Sequence, residues 1–141
     1  MDAPIIVGTD GSETATAAVD EAIRLAAALG QPLHIVSAYR PLPKGGGSGL
    51  PAEFSLHSDS QVQAILDESQ ARARVKGLTA TVHARTGDPA EVLLDIAGEL
   101  EAGLVIVGNK GIGSVKRFVL GNVPSKVVHH SPCSTYVVHT A

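Results

Sequence analysis

A chain of 141 residues with 11 Lys and Arg against 14 Asp and Glu has a formal charge of −3, so no basic field invites nucleic acid or an acidic membrane surface. Aromatic residues make up 3% and Trp is absent, which leaves little material for base-stacking platforms of the single-strand-binding kind. The lone Cys133 excludes an internal disulfide framework; with no charged leader at Met1-Asp2-Ala3-Pro4 and no apolar run of bilayer length, the expected location is the cytoplasm.

The length suits one domain over residues 1–141 with a single core. Pro4 to Thr9, PIIVGT, is a continuous apolar, β-branched run, which predicts a strand covered on both faces. Ser12 caps the next helix, whose positions Ala15, Ala18, Val19, Ala22, Ile23, Ala26 and Leu29 recur at three- and four-residue steps, and Gly30 ends it. Gln31 to Tyr39 is the second strand. Residues 40–58 carry Pro41, Pro43, the run Gly45-Gly46-Gly47-Ser48-Gly49 and Pro51, and no regular element is expected. The flanking pieces are too small to fold separately, so this reads as a long flexible loop within one domain, of the length that often covers a site.

Asp59 to Lys76 predicts a helix with Val62, Ile65, Leu66 and Ala73 inward, closed by Gly77. Leu78 to Arg85 alternates, as an outer strand does. Asp88-Pro89 opens the next helix as cap and first residue, with Val92, Leu93, Ile96, Ala97 and Leu100 on one stripe. Val105 to Val107 is a buried strand, Val123 to about His130 a short helix, and Ser134 to His139 a last strand. This alternation calls for an α/β fold: an open, parallel, five-stranded sheet with right-handed crossovers and helices on both faces. If the order is 3-2-1-4-5, ligands bind where strands 1 and 4 end side by side, which brings Thr9-Asp10 beside Gly108.

The stretch Leu104 to Val128, LVIVGNKGIGSVKRFVLGNVPSKVV, carries the strongest functional signal. A strand stops at Gly108, and Gly108, Gly111, Gly113 and Gly121 punctuate a segment holding Lys110, Lys116 and Arg117. Asn122 is a good N-cap and Pro124 falls in the first turn, so a helix starting there aims unpaired N–H groups and its positive dipole end at the loop. An anion, phosphate above all, is the guest such a loop suits. Neither common phosphate fingerprint fits, because no Lys-Ser/Thr follows a G-x-x-x-x-G pair and Gly108 to Gly113 reads G-x-x-G-x-G.

What the residues match is G, two residues, G, nine residues, G, then Ser or Thr, the mark of ATP-binding universal stress proteins; Gly108, Gly111 and Gly121 hold those three positions. The chain resembles that family over nearly its whole length, with Asn122 where the family usually has Ser or Thr. The resemblance implies a Rossmann-like, adenine nucleotide α-hydrolase-like fold and a stress-response module that binds ATP, with Mg²⁺ bridging phosphate oxygens and Asp10 as a further ligand. Gly8, Thr9 and Asp10 would approach adenine or ribose, Ala38 would lie against the base, and Val107 and Val123 would line the pocket. It also implies a homodimer through Ser134 to His139; otherwise that strand is an edge guarded by His139 and the short tail.

Alternatives stay open. Asp10 is equally suited to capping the turn before Ser12. The loop accepts one phosphate as readily as three, so AMP or cyclic AMP is the second ligand. A nucleotide-cleaving enzyme of the wider group and a nucleotide-free dimeric interaction protein are the others. No G-x-S-x-G is present and no acid is paired in the proposed pocket, so catalysis is not expected beyond slow, incidental ATP hydrolysis. Of six histidines, His129 and His130 are adjacent and point apart on a helix, so no structural zinc site is expected and imidazole capping of a helix end accounts for them better.

Overall fold

The structure is a computed structural model that describes residues 3–39, 59–109 and 122–140. Its elements are β1 (Ile5–Gly8), α1 (Glu13–Leu29), β2 (Leu33–Tyr39), α2 (Asp59–Val75), β3 (Ala80–Thr86), α3 (Pro89–Glu99), β4 (Leu104–Gly108), α4 (Asn122–His130) and β5 (Ser134–Val138). All pairings are parallel and the five-stranded order is β3-β2-β1-β4-β5, as the alternating pattern requires. The expected loop 40–58 and the segment 110–121 lie outside the described residues.

β1 is apolar without a break because it has no outer side. Ile5 and Val7 pack with Val19, Ile23 and Leu66 of α1 and α2, while Ile6 packs with Leu93, Ile96 and Val127 of α3 and α4. Two cores therefore sandwich one sheet. Ile6, Ile35, Ile96 and Ile106 are fully buried, and side chains of this size contribute about 1.5–3 kcal/mol each relative to exposure.

Local chemistry sets the helix ends. Ser12 Oγ accepts from the Ala15 N–H at 3.2 Å, and Asp88 Oδ2 accepts from the Glu91 N–H at 3.1 Å with Pro89 following. Gly30 closes α1 in the left-handed region at φ 68°; its N–H and that of Gln31 both reach the Ala26 carbonyl. That closure corrects one expectation: the buried stripe of α1 ends at Ala26, and Leu29, in the last turn, is 58% exposed. It also starts β2 at Leu33 rather than Gln31. Likewise the Leu78 N–H bonds the Ala73 carbonyl, so residues 78–79 close α2 and β3 begins at Ala80. Asn122 is the first helical residue of α4 rather than the cap before it.

Polar ties join the layers. Arg72 grips Asp20 through two bonds of 2.9 and 2.6 Å, joining α2 to α1. Tyr136 of β5 donates to Glu21 at 2.5 Å, and Arg24 bonds the same carboxylate twice at 2.7 Å. Among the described residues no helix is long and apolar enough to cross a membrane.

Candidate functional site

Strand order reverses between β1 and β4, whose register runs from Ile5↔Leu104 to Val7↔Ile106. Gly8-Thr9-Asp10 and Val107-Gly108-Asn109 thus leave the sheet side by side at its carboxyl edge, the usual place for a ligand in this architecture. Ala38, next to last in β2, lies on the face shared with Val107 and Val123, and all three pack on the core under α3 and α4. Of the residues predicted for the site, Gly8, Thr9, Asp10, Ala38, Val107, Gly108, Asn122 and Val123 are therefore placed. Lys110, Gly111, Gly113 and Gly121 lie outside the described residues, as do Lys116 and Arg117.

The two strand ends are fixed mainly by backbone. Thr9 is 8% exposed; its N–H donates to Val36 at 2.9 Å, its carbonyl accepts from Ser37 Oγ at 2.7 Å, and its Oγ1 accepts from the Gly11 N–H at 3.1 Å. Asp10 Oδ1 accepts from the Ser12 N–H at 2.9 Å, so the carboxylate performs the turn-capping role foreseen for it. Gly11, at φ 81°, turns the chain toward α1 with Ile65 packed over it.

Gly108 has a packing reason of its own. A Cβ there would lie 2.8 Å from the Thr14 carbonyl oxygen, so the first turn of α1 can rest on β4 only because this residue lacks a side chain. A Cβ on Gly8 would meet the tip of Leu93 at 3.0 Å. At Asn109, 5% exposed, the backbone N–H extends the ladder to Val138 at 3.1 Å and the side chain is bonded to Thr140. Sequence reasoning passed over Asn109, although an Asn directly after a strand-ending Gly is a local cue for a side chain that bonds backbone.

Two further groups escaped the sequence reading. His34 Nδ1 and His83 Nε2, 49 residues apart, come within 2.8 Å across β2 and β3. Burial lowers both imidazoles below their ordinary value of 6.5; for His83 the neighbouring His34 and Arg85 lower it further, against Glu99. At Glu21 the Arg24 and Tyr136 hydrogen bonds hold the carboxyl at about 2. Neither group adjoins the β1 and β4 ends. His129 Nδ1 donates to the Ser125 carbonyl at 2.9 Å in the last turn of α4, and among the described residues no three potential ligands gather for a metal. An open depression beside Gly30, Pro32 and Lys76 lies at the opposite, amino edge.

Residues 2–139 match the Universal stress protein family. Universal stress protein Rv1636 of Mycobacterium tuberculosis is 31% identical over 141 residues, covering 96% of this chain and 95% of the relative. Among solved structures, a universal stress protein in complex with cAMP superposes with a TM-score of 0.75 at 33% identity, covering 99% of this chain and 98% of the other. The hypothetical protein MJ0577 superposes at 0.77 with 18% identity over 100% and 98% of the two chains, a likeness of fold.

Proposed function

Because the chain belongs to the universal stress protein family, matched over residues 2–139, we propose that it is a regulatory stress-response module that binds an adenine nucleotide at the carboxyl edge between β1 and β4. The observation that carries this reading is the meeting of Thr9-Asp10 with Gly108 at the topological switch point, in a chain 33% identical to a relative described in complex with cAMP.

The nucleotide is oriented as follows. Ala38 lies against the base, Val107 and Val123 form the wall of the pocket, and the edge at Gly8-Thr9-Asp10 receives the adenine or ribose. Gly108, Lys110, Gly111, Gly113, Gly121 and Asn122 receive phosphate, with the N-terminus of α4 adding its dipole. The G-x₂-G-x₉-G spacing supports ATP, with Mg²⁺ held mainly by phosphate oxygens and Asp10 as the nearby carboxylate. A second reading, cyclic AMP, is favoured by the ligand of that relative and by Asn122 in place of a hydroxyl residue. The protein binds and signals rather than catalyses, and β5 of one subunit pairs with β5 of a second through Ser134 to His139.

Calorimetry of the full chain with ATP, ADP, AMP and cyclic AMP tests the proposal, alongside mass spectrometry of any copurifying nucleotide. Binding of at least one of these, lost in Gly111→Val, is the expected result. No binding by the wild type to any of them sinks it in favour of a nucleotide-free interaction protein.

A further inference from the structure

Asn109 is a buried polar side chain at the point where β4 leaves the sheet. Its Oδ1 accepts from the Thr140 N–H at 3.1 Å and from Thr140 Oγ1 at 2.9 Å, and its Nδ2 donates to the Thr140 carbonyl at 3.3 Å. With the Asn109 N–H on the Val138 carbonyl, four bonds join this one residue to the C-terminal segment. A side-chain amide that both gives to and takes from one residue's backbone acts as an extra rung, continuing the β4–β5 ladder past Gly108↔Val138.

This rung sits beside a strand end that close packing also restrains. Gly108 abuts the Thr14 carbonyl, so moving the end of β4 toward α1 is blocked sterically. Within the sheet, Asn109 and Thr140 hold it to the strand beside it. Buried polar clusters whose members are all satisfied hold one geometry more narrowly than apolar packing does.

We propose that Asn109 and Thr140 are positioning residues for the nucleotide site: by tying the end of β4 to the C-terminal tail they keep Gly108 at the spacing from Thr9 that ligand binding requires. The inference rests on the nucleotide-binding reading above. Neither side chain touches ligand, because each turns its polar atoms to the other. The tail after β5 is thereby part of the binding apparatus.

The test uses the full chain, with cyclic AMP, ATP, ADP and AMP as calorimetric probes, on wild type, Asn109→Ala, Thr140→Val and Thr140→Ser, and with melting temperatures recorded for each. Asn109→Ala is expected to weaken binding about 10-fold and Thr140→Val about 3-fold, the range for residues that couple to a site without contacting ligand. Thr140→Ser keeps the hydroxyl donor and is expected to bind as wild type does. Should Asn109→Ala fail to fold, the Thr140 pair decides alone. Wild type that binds none of cyclic AMP, ATP, ADP and AMP refutes the nucleotide reading and this inference with it. Wild type that binds while Thr140→Val binds equally well, or Thr140→Ser binds as weakly as Thr140→Val, overturns the inference and leaves the reading standing.

Discussion

The seam between β1 and β4 and the seam between β2 and β3 are both parallel pairings in one sheet, yet different groups hold their surroundings. The first ends in Gly8, Thr9, Gly108 and Asn109, whose contacts are backbone atoms and small neutral side chains at close range. The second carries the His34–His83 bond and, next along β3, Arg85 gripping Glu99 at 2.6 and 2.7 Å. Neutral backbone contacts at short range tolerate a change of pH and not a change of volume. A half-buried pair of imidazoles tolerates the reverse. The candidate site lies on the seam held mainly by neutral contacts, which suits a binder that must hold its shape.

The largest effect should come from adding one methyl to the central seam. Gly108→Ala puts a Cβ 2.8 Å from the Thr14 backbone oxygen, which cannot swing aside, and is expected to cost about 1–3 kcal/mol in urea denaturation. Gly8→Ala meets only the mobile end of Leu93 at 3.0 Å and should cost less. Gly98→Ala, exposed on α3 with nothing within 4 Å, should stabilise by about 0.5–1 kcal/mol through helix propensity. If Gly108→Ala proves as mild as Gly8→Ala, the central seam is less rigid than the contrast claims.

Next in size is the start of α3. Asp88→Ala removes the oxygen that accepts from Glu91, along with its weaker 3.7 Å pairing to Lys126 of α4, and should cost about 1 kcal/mol. Asp88→Asn keeps a capping oxygen and should recover most of that loss, because the Lys126 pair is exposed and contributes little. Equal losses in both variants would assign the stability to the charge instead of the cap.

These contrasts also mark what the amino-acid order discloses. The strand order, the two-sided burial of β1 and the caps at Ser12 and Asp88 were legible because each is written in residues a few positions apart. The same holds for the edge where Thr9-Asp10 meets Gly108, once the alternation of elements is granted. Leu29 misled because its helical spacing continues the stripe, whereas the Gly30 closure ends burial at Ala26. His34 with His83, and Glu21 with Tyr136 at 115 residues' separation, depend on which positions face each other across folded elements, and no local period encodes that. Gly108 was legible as a place where a side chain does not fit, but its close packing on the backbone of α1 depends on a distant segment and no local motif encodes it.

The smallest effect probes the outer seam by pH. His34 and His83 sit below 6.5 in the folded protein, so on acidification the unfolded chain takes up protons first and folding becomes less favourable. Their contribution is complete above pH 6.5 and shrinks as pH falls below it, until the folded imidazoles themselves protonate. The first proton leaves the Nδ1 to Nε2 bond intact, since a cationic ring can donate to a neutral one; the second places a hydrogen on both facing nitrogens and breaks it. Glu21 works lower on the scale, its contribution present above pH 4.5 and lost toward pH 2. Urea titrations between pH 7 and 5 should therefore show a shallow decline that His34→Ala with His83→Ala flattens, whereas Glu21→Gln leaves that interval unchanged. A decline that survives in the double variant would locate the pH sensitivity elsewhere and remove the distinction between the two seams.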